Sequence, residues 1–116
     1  MAEGMELTVR HQGNVAVVEV QGYINNTGGE QIASACGELL AQGTRRLALD
    51  LGGCRIVNSV GISILLELLD QLQAVDGRLA FCCVTPTIAK SFRIMGLLQS
   101  CTVHATAAEA VAALAV

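Results

Sequence analysis

Charge and aromatic bulk are what this chain has least of. Only 15% of its 116 residues are charged and 3% aromatic, with two Phe, one Tyr and no Trp. So few rings imply an aliphatic core. The seven Lys and Arg residues are scattered apart from the adjacent Arg45 and Arg46, and the net charge is −3, so no basic stripe exists for a phosphate backbone. Neither DNA or RNA nor a membrane surface is expected as a partner. No apolar run approaches the roughly 18–20 residues of a spanning helix. The N-terminus, MAEGMELTVR, lacks the basic and apolar regions of a signal peptide, so the expected compartment is the cytoplasm.

Metal-binding and catalytic patterns are also missing. Cys36, Cys54, Cys82, Cys83 and Cys101 are an odd number without a C-x-x-C pair or a His at ligand spacing. They read as small buried hydrophobes in a reducing compartment. Cys82 and Cys83 are adjacent in an expected strand, so their side chains should point to opposite faces and not grip a metal together. His11 and His104 stand alone, and neither is expected to be catalytic. Gly52 and Gly53 are not followed by Gly-Lys-Ser or Gly-Lys-Thr, and no G-x-G-x-x-G follows the first strand. Ser59 lies in N-S-V-G, not in a G-x-S-x-G elbow. A hydrolase with a Ser59 nucleophile is only a foil. No enzyme, cofactor or metal is expected.

What the chain does have is apolar content, 53% of residues, and a length suited to one domain (1–116) that buries roughly two thirds of its unfolded surface. The high hydropathy is compatible with a weak homodimer. Residues 5–10 alternate as a strand, 11–14 supply turn chemistry, and 15–21 form a second, β-branched strand, together a hairpin. A loop over 22–27 should lead, with Asn26 or Thr27 as cap, into a helix running to about Gln42. Its apolar positions are Ile32, Ala35, Cys36, Leu39 and Leu40, and Gly43 sits where a C′ glycine belongs. The third strand is expected over 46–51, followed by a loop carrying Gly52 and Gly53.

A strand over 78–84 should be buried on both faces. Thr85 and Pro86 form a cap and first-turn pair for a helix whose buried face is Ile88, Phe92 and Met95 and which Gly96 stops. A short edge strand over 99–104 and a last helix, capped by Thr106 and packed through Val111, Leu114 and Ala110, close the chain. The order is ββαβαβαβα. It predicts an α/β domain, a single layered core on a mostly parallel central sheet with an antiparallel edge strand and about four helices.

The stretch from Leu47 to Leu72 organises the rest. Asn58 and Ser59 are both good N-cap residues, and one of them is enough. Ser59 is therefore a candidate for another role, as a hydroxyl at the positive end of a helix, where an added negative group is stabilised. The plainer alternative is that the two share capping. In the helix that starts there, Ile62, Leu65, Leu66, Leu69, Leu72 and Gln73 fall in one core-facing arc. Ser63, Glu67, Asp70, Gln71 and Ala74 fall opposite, together with Val60 and Ile64, and with Leu68 at the edge. A solvated face has no need of Val60 and Ile64. They form either an exposed contact patch or a surface covered by a neighbouring loop. Asp50, at the end of its strand, should hydrogen-bond the turn after it.

With these residues in place, the chain resembles the anti-sigma factor antagonists, the single-domain members of the STAS group. The resemblance rests on Val17 to Gly22, the loop with Asn25 and Thr27, the Leu-Asp-Leu ending at Leu51, the Ser59-x-Gly61 that follows it after seven intervening residues, and the Gly77 to Phe92 segment. It implies a STAS-like fold and a switch that regulates transcription. In that family a serine or threonine at this helix start is phosphorylated by a partner that is both kinase and anti-sigma factor; Ser59 is the matching position. The unphosphorylated form captures the partner. The resemblance thus implies an anti-sigma factor with serine kinase activity as partner, and Asn25, Thr27, Asn58, Val60, Gly61 and Ile64 as its contact region. The sequence departs from the pattern where family members usually carry an acid before the phosphorylated residue, here Asn58, and many carry one after the second strand, here Asn25. Both keep hydrogen-bonding shape without a carboxylate. The alternative is a non-phosphorylated STAS scaffold, or a module binding a nucleotide or other small anion at the same helix start.

Overall fold

The computed structural model describes residues 5–115; of the N-terminal stretch considered above, residues 1–4 lie outside the described residues. The elements follow the expected order: β1 (Glu6–Gln12), β2 (Val15–Ile24), α1 (Asn26–Ala41), β3 (Arg46–Val57), α2 (Ser59–Ala74), β4 (Arg78–Cys82), α3 (Pro86–Ile94), a 3₁₀ turn (Leu97–Gln99), β5 (Thr102–His104) and α4 (Ala107–Leu114). They build one five-stranded sheet in the order β1-β2-β3-β4-β5. β1 is antiparallel to β2, and the other neighbours are parallel. Among the described residues no helix is long and apolar enough to cross a membrane.

Gly13, at φ 61°, gives the β1–β2 hairpin the left-handed residue its tight turn needs. Crossovers of one hand between strands added in sequence leave their helices on one face. Accordingly Ile32 and Leu39 of α1, Ile62 and Leu65 of α2, and Ile88 and Phe92 of α3 share one core with Ala16, Val18, Leu47, Leu49 and Phe81. The other face is covered differently. Val15, Val17, Ala48, Ala80 and Cys82 pack against Ala110 and Leu114 of α4 alone. The sheet is therefore sandwiched unequally, three helices to one.

The expected stops hold at Gly43, whose N–H reaches the Leu40 carbonyl at φ 97°, at Gly96 (φ 86°), and at Thr85, whose hydroxyl accepts from the Ile88 amide at 3.2 Å. Several details differ. β2 runs on to Ile24 and β3 to Val57, so residues 22–24 and 52–57 are sheet where loop was expected. The glycines there open room instead of turning the chain: a Cβ on Gly53 would stand 2.6 Å from Gln21 Cγ, at a register shift between the two strands. α1 is capped by Asn25, not by Asn26 or Thr27.

On α2, Leu68 is buried and Gln73 exposed. The helix lies between α1 and the 3₁₀ turn, which widens its buried arc, and a buried amide would need partners. Met95 follows the end of α3 and remains exposed. β4 stops at Cys82, because Cys83 adopts φ 62°; the strict alternation expected for the two cysteines ends there.

Candidate functional site

Two βα joints lie side by side at the extended ends of β2 and β3. Ile24 pairs with Val57, and the Asn58 amide donates to the Ile24 carbonyl at 3.1 Å. Each strand then hands over to a helix through an extended asparagine. The Asn25 Oδ1 accepts the Gly28 amide at 2.9 Å, and the Asn58 Oδ1 accepts the Gly61 amide at 2.8 Å. Both asparagines are helix caps. The alternative in which Asn58 and Ser59 share capping therefore falls: Ser59 occupies the first helical position and is exposed.

Glycine sets how closely these joints approach. A Cβ on Gly61 would collide with the Ile24 carbonyl oxygen, and one on Gly29 would stand 3.3 Å from the Gly61 Cα and 3.1 Å from the Ile64 Cδ1. The first turns of α1 and α2 are thus in direct contact. Neither contains an acidic residue, so two uncompensated positive helix ends lie together. Asp50 holds the adjoining backbone, as expected, its carboxylate accepting the Gly52 amide at 2.9 Å.

The sequence resemblance now has an independent counterpart. The STAS domain family model matches residues 6–110. Over 95 residues, 82% of each chain, the sequence is 32% identical to BtrV of Bordetella bronchiseptica, named for the anti-sigma factor antagonists. The chain is a STAS domain of the anti-sigma factor antagonist family. Its fold is similar to that of an anti-sigma factor antagonist from Mycobacterium paratuberculosis (TM-score 0.86, 22% identity, covering all of this chain and 98% of that one). It is similar also to SpoIIAA of Bacillus in the phosphorylated form (TM-score 0.74, 23% identity, covering 93% and 98%).

Around Ser59 this STAS domain exposes Val60 (49%), while Ile64 is only half-buried beside Gly29. Among the described residues no loop covers Val60. Sequence reasoning missed two further exposed apolar side chains at these strand ends, Tyr23 (38% exposed) and Ile56 (57% exposed), register partners on β2 and β3 that alternate with Ile24 and so lie on the sheet face away from α1 and α2. Both follow from strand alternation beside the buried Ile24, once the strand is known to continue. Thr27 is exposed in the first turn of α1, and Gly61 is buried. Gly61 sets spacing and offers no surface of its own.

Proposed function

We propose that this STAS domain is a phosphorylation-sensitive antagonist in the cytoplasm that binds an anti-sigma factor with serine kinase activity and so regulates transcription, without catalysis of its own. The single observation carrying this reading is Ser59. Its hydroxyl is exposed, relieved of capping by Asn58, and flanked by Val60 at the start of α2. Val60 and Ile64 form the apolar part of the docking surface, with Asn25, Thr27 and Asn58 at its rim and Gly61 holding α2 against β2.

The switch follows from charge. Transfer of the γ-phosphoryl group of ATP to the Ser59 oxygen, with loss of the hydroxyl proton and release of ADP, brings about −1.5 to −2 charges. Within the chain that charge is tolerated, because the first turns of α1 and α2 carry no acid. At the interface it must be desolvated beside Val60, and binding weakens.

Intact mass of the protein isolated from its native cells, beside Ser59→Ala, tests the modification. A phosphorylated fraction that vanishes in the variant is expected. Complete absence across growth and stress conditions favours the unphosphorylated scaffold. Calorimetry with a purified kinase-type anti-sigma factor from the same organism tests the consequence: Ser59→Ala should bind, and Ser59→Asp should bind at least about tenfold more weakly, ~1.4 kcal/mol. Equal affinities would remove Ser59 from the interface.

A further inference from the structure

The face beneath α4 carries a second cluster, unrelated to the βα joints. Glu19, Asp50, Cys82 and His104 are successive register partners on β2, β3, β4 and β5, so they form a row on one face of the sheet. The row lies where β4 and β5 end, the edge at which open parallel sheets collect ligands. The His104 ring is turned to the Thr102 hydroxyl at 2.8 Å. Asp50 and Cys82 have another neighbour.

That neighbour is Cys83. Its φ of 62° costs a non-glycine residue roughly 1–2 kcal/mol and brings its sulfur round to Cys82 instead of to the opposite face. The two sulfurs and an Asp50 carboxylate oxygen all lie within 4.8 Å of one another. Two thiolates on a tetrahedral zinc ion are about 3.8 Å apart, a difference that small side-chain rotations close.

The surroundings keep the cluster open and aimed. A Cβ on Gly52 would stand 3.2 Å from Asp50 Oδ1 and 3.3 Å from Cys83 Cβ; the glycine leaves that space free. The Gly52 amide fixes the carboxylate, and the Cys83 amide ties the turn to the His104 carbonyl at 3.1 Å. Cys82 is buried while Asp50 and Cys83 are partly exposed, so an ion reaches the site from solvent.

We propose that Asp50, Cys82 and Cys83 bind a thiophilic divalent cation of the zinc class, through two thiolates and one carboxylate, with solvent in the fourth position. Binding exchanges two thiol protons for the ion. The ligand set mixes sulfur with one oxygen, which suits zinc and cadmium and disfavours magnesium or calcium. It would pin the ends of β3 and β4 together under α4.

Cadmium is the probe, because its thiolate complexes absorb in the ultraviolet. Titrating the full reduced chain with Cd²⁺ against a chromophoric chelator should give one equivalent bound with a thiolate charge-transfer band, and Zn²⁺ should displace it. Cys83→Gly suits the positive φ and should keep the fold by circular dichroism, while weakening binding by more than the roughly 10–100-fold that loss of an outer partner costs. Asp50→Asn should weaken binding and keep the band. Cys101→Ser should change neither. The proposal is overturned by absence of a stoichiometric band in the natural chain, or by unchanged affinity in folded Cys83→Gly, which would assign the ion to Cys36, Cys54 or Cys101.

Discussion

Asn58 and Ser59 could each cap α2, and Asn58 does so. The amide oxygen of Asn58 satisfies the Gly61 N–H, and the Ser59 hydroxyl stays in solvent. Replacing Asn58 by Ala removes the cap and is expected to lower stability by about 1 kcal/mol, measured as a shift in the urea midpoint at constant slope. Asn58→Asp should preserve that midpoint, since a carboxylate caps equally well and suits the helix dipole. The same variant puts a negative charge next to Ser59. If the proposed kinase partner reads the residue before its target, the rate of the proposed Ser59 phosphorylation will differ between the natural chain and an Asn58→Asp variant of equal stability, which separates recognition from folding.

At the scale of elements, the site is a matter of how closely β2, α1 and α2 pack. Gly61 lies against the Ile24 carbonyl, and even a methyl group there must push α2 off β2. Gly61→Ala is expected to cost about 1–3 kcal/mol, the range for overpacking, read by thermal or urea unfolding; a neutral effect would mean that the joint is looser than its geometry. The alternation of strands and helices was legible in the sequence, as were the stops at Gly43 and Gly96 and the cap at Thr85, because each has a local cause in periodicity or backbone preference. The lengths of β2 and β3 were not. Gly22, Gly52 and Gly53 read as turn residues, and only the neighbouring strand reveals that Gly53 makes room for Gln21. Tyr23 and Ile56 were lost with those strand ends. Cys83 escaped for a related reason: nothing in a Cys-Cys pair announces that the second residue will turn left-handed.

For the whole molecule, the thiols set an alkaline limit. Burial holds Cys36 up at about 12, burial with the Asp50 carboxylate does the same for Cys82, and burial raises Cys101 to about 11. The unfolded thiols ionise near 9.0, so between there and 11 to 12 the folded chain holds more protons than the unfolded one, and stability falls as pH rises. Below pH 9 these groups should leave stability unchanged. Urea midpoints taken across that window check the sign, and Cys36→Ala should flatten the slope. The unequal covering of the sheet has a kinetic side. The 8 residues of α4 are too few for a helix to persist alone in water, and α4 must reach back across strands placed far earlier in the chain, a closure that is slow to form. The amides of α4 should therefore exchange with solvent hydrogen before those of α2. The molecule would then open like a book with one loose cover, the α1–α3 side remaining bound while the face holding Val17, Ala48 and Cys82 meets water.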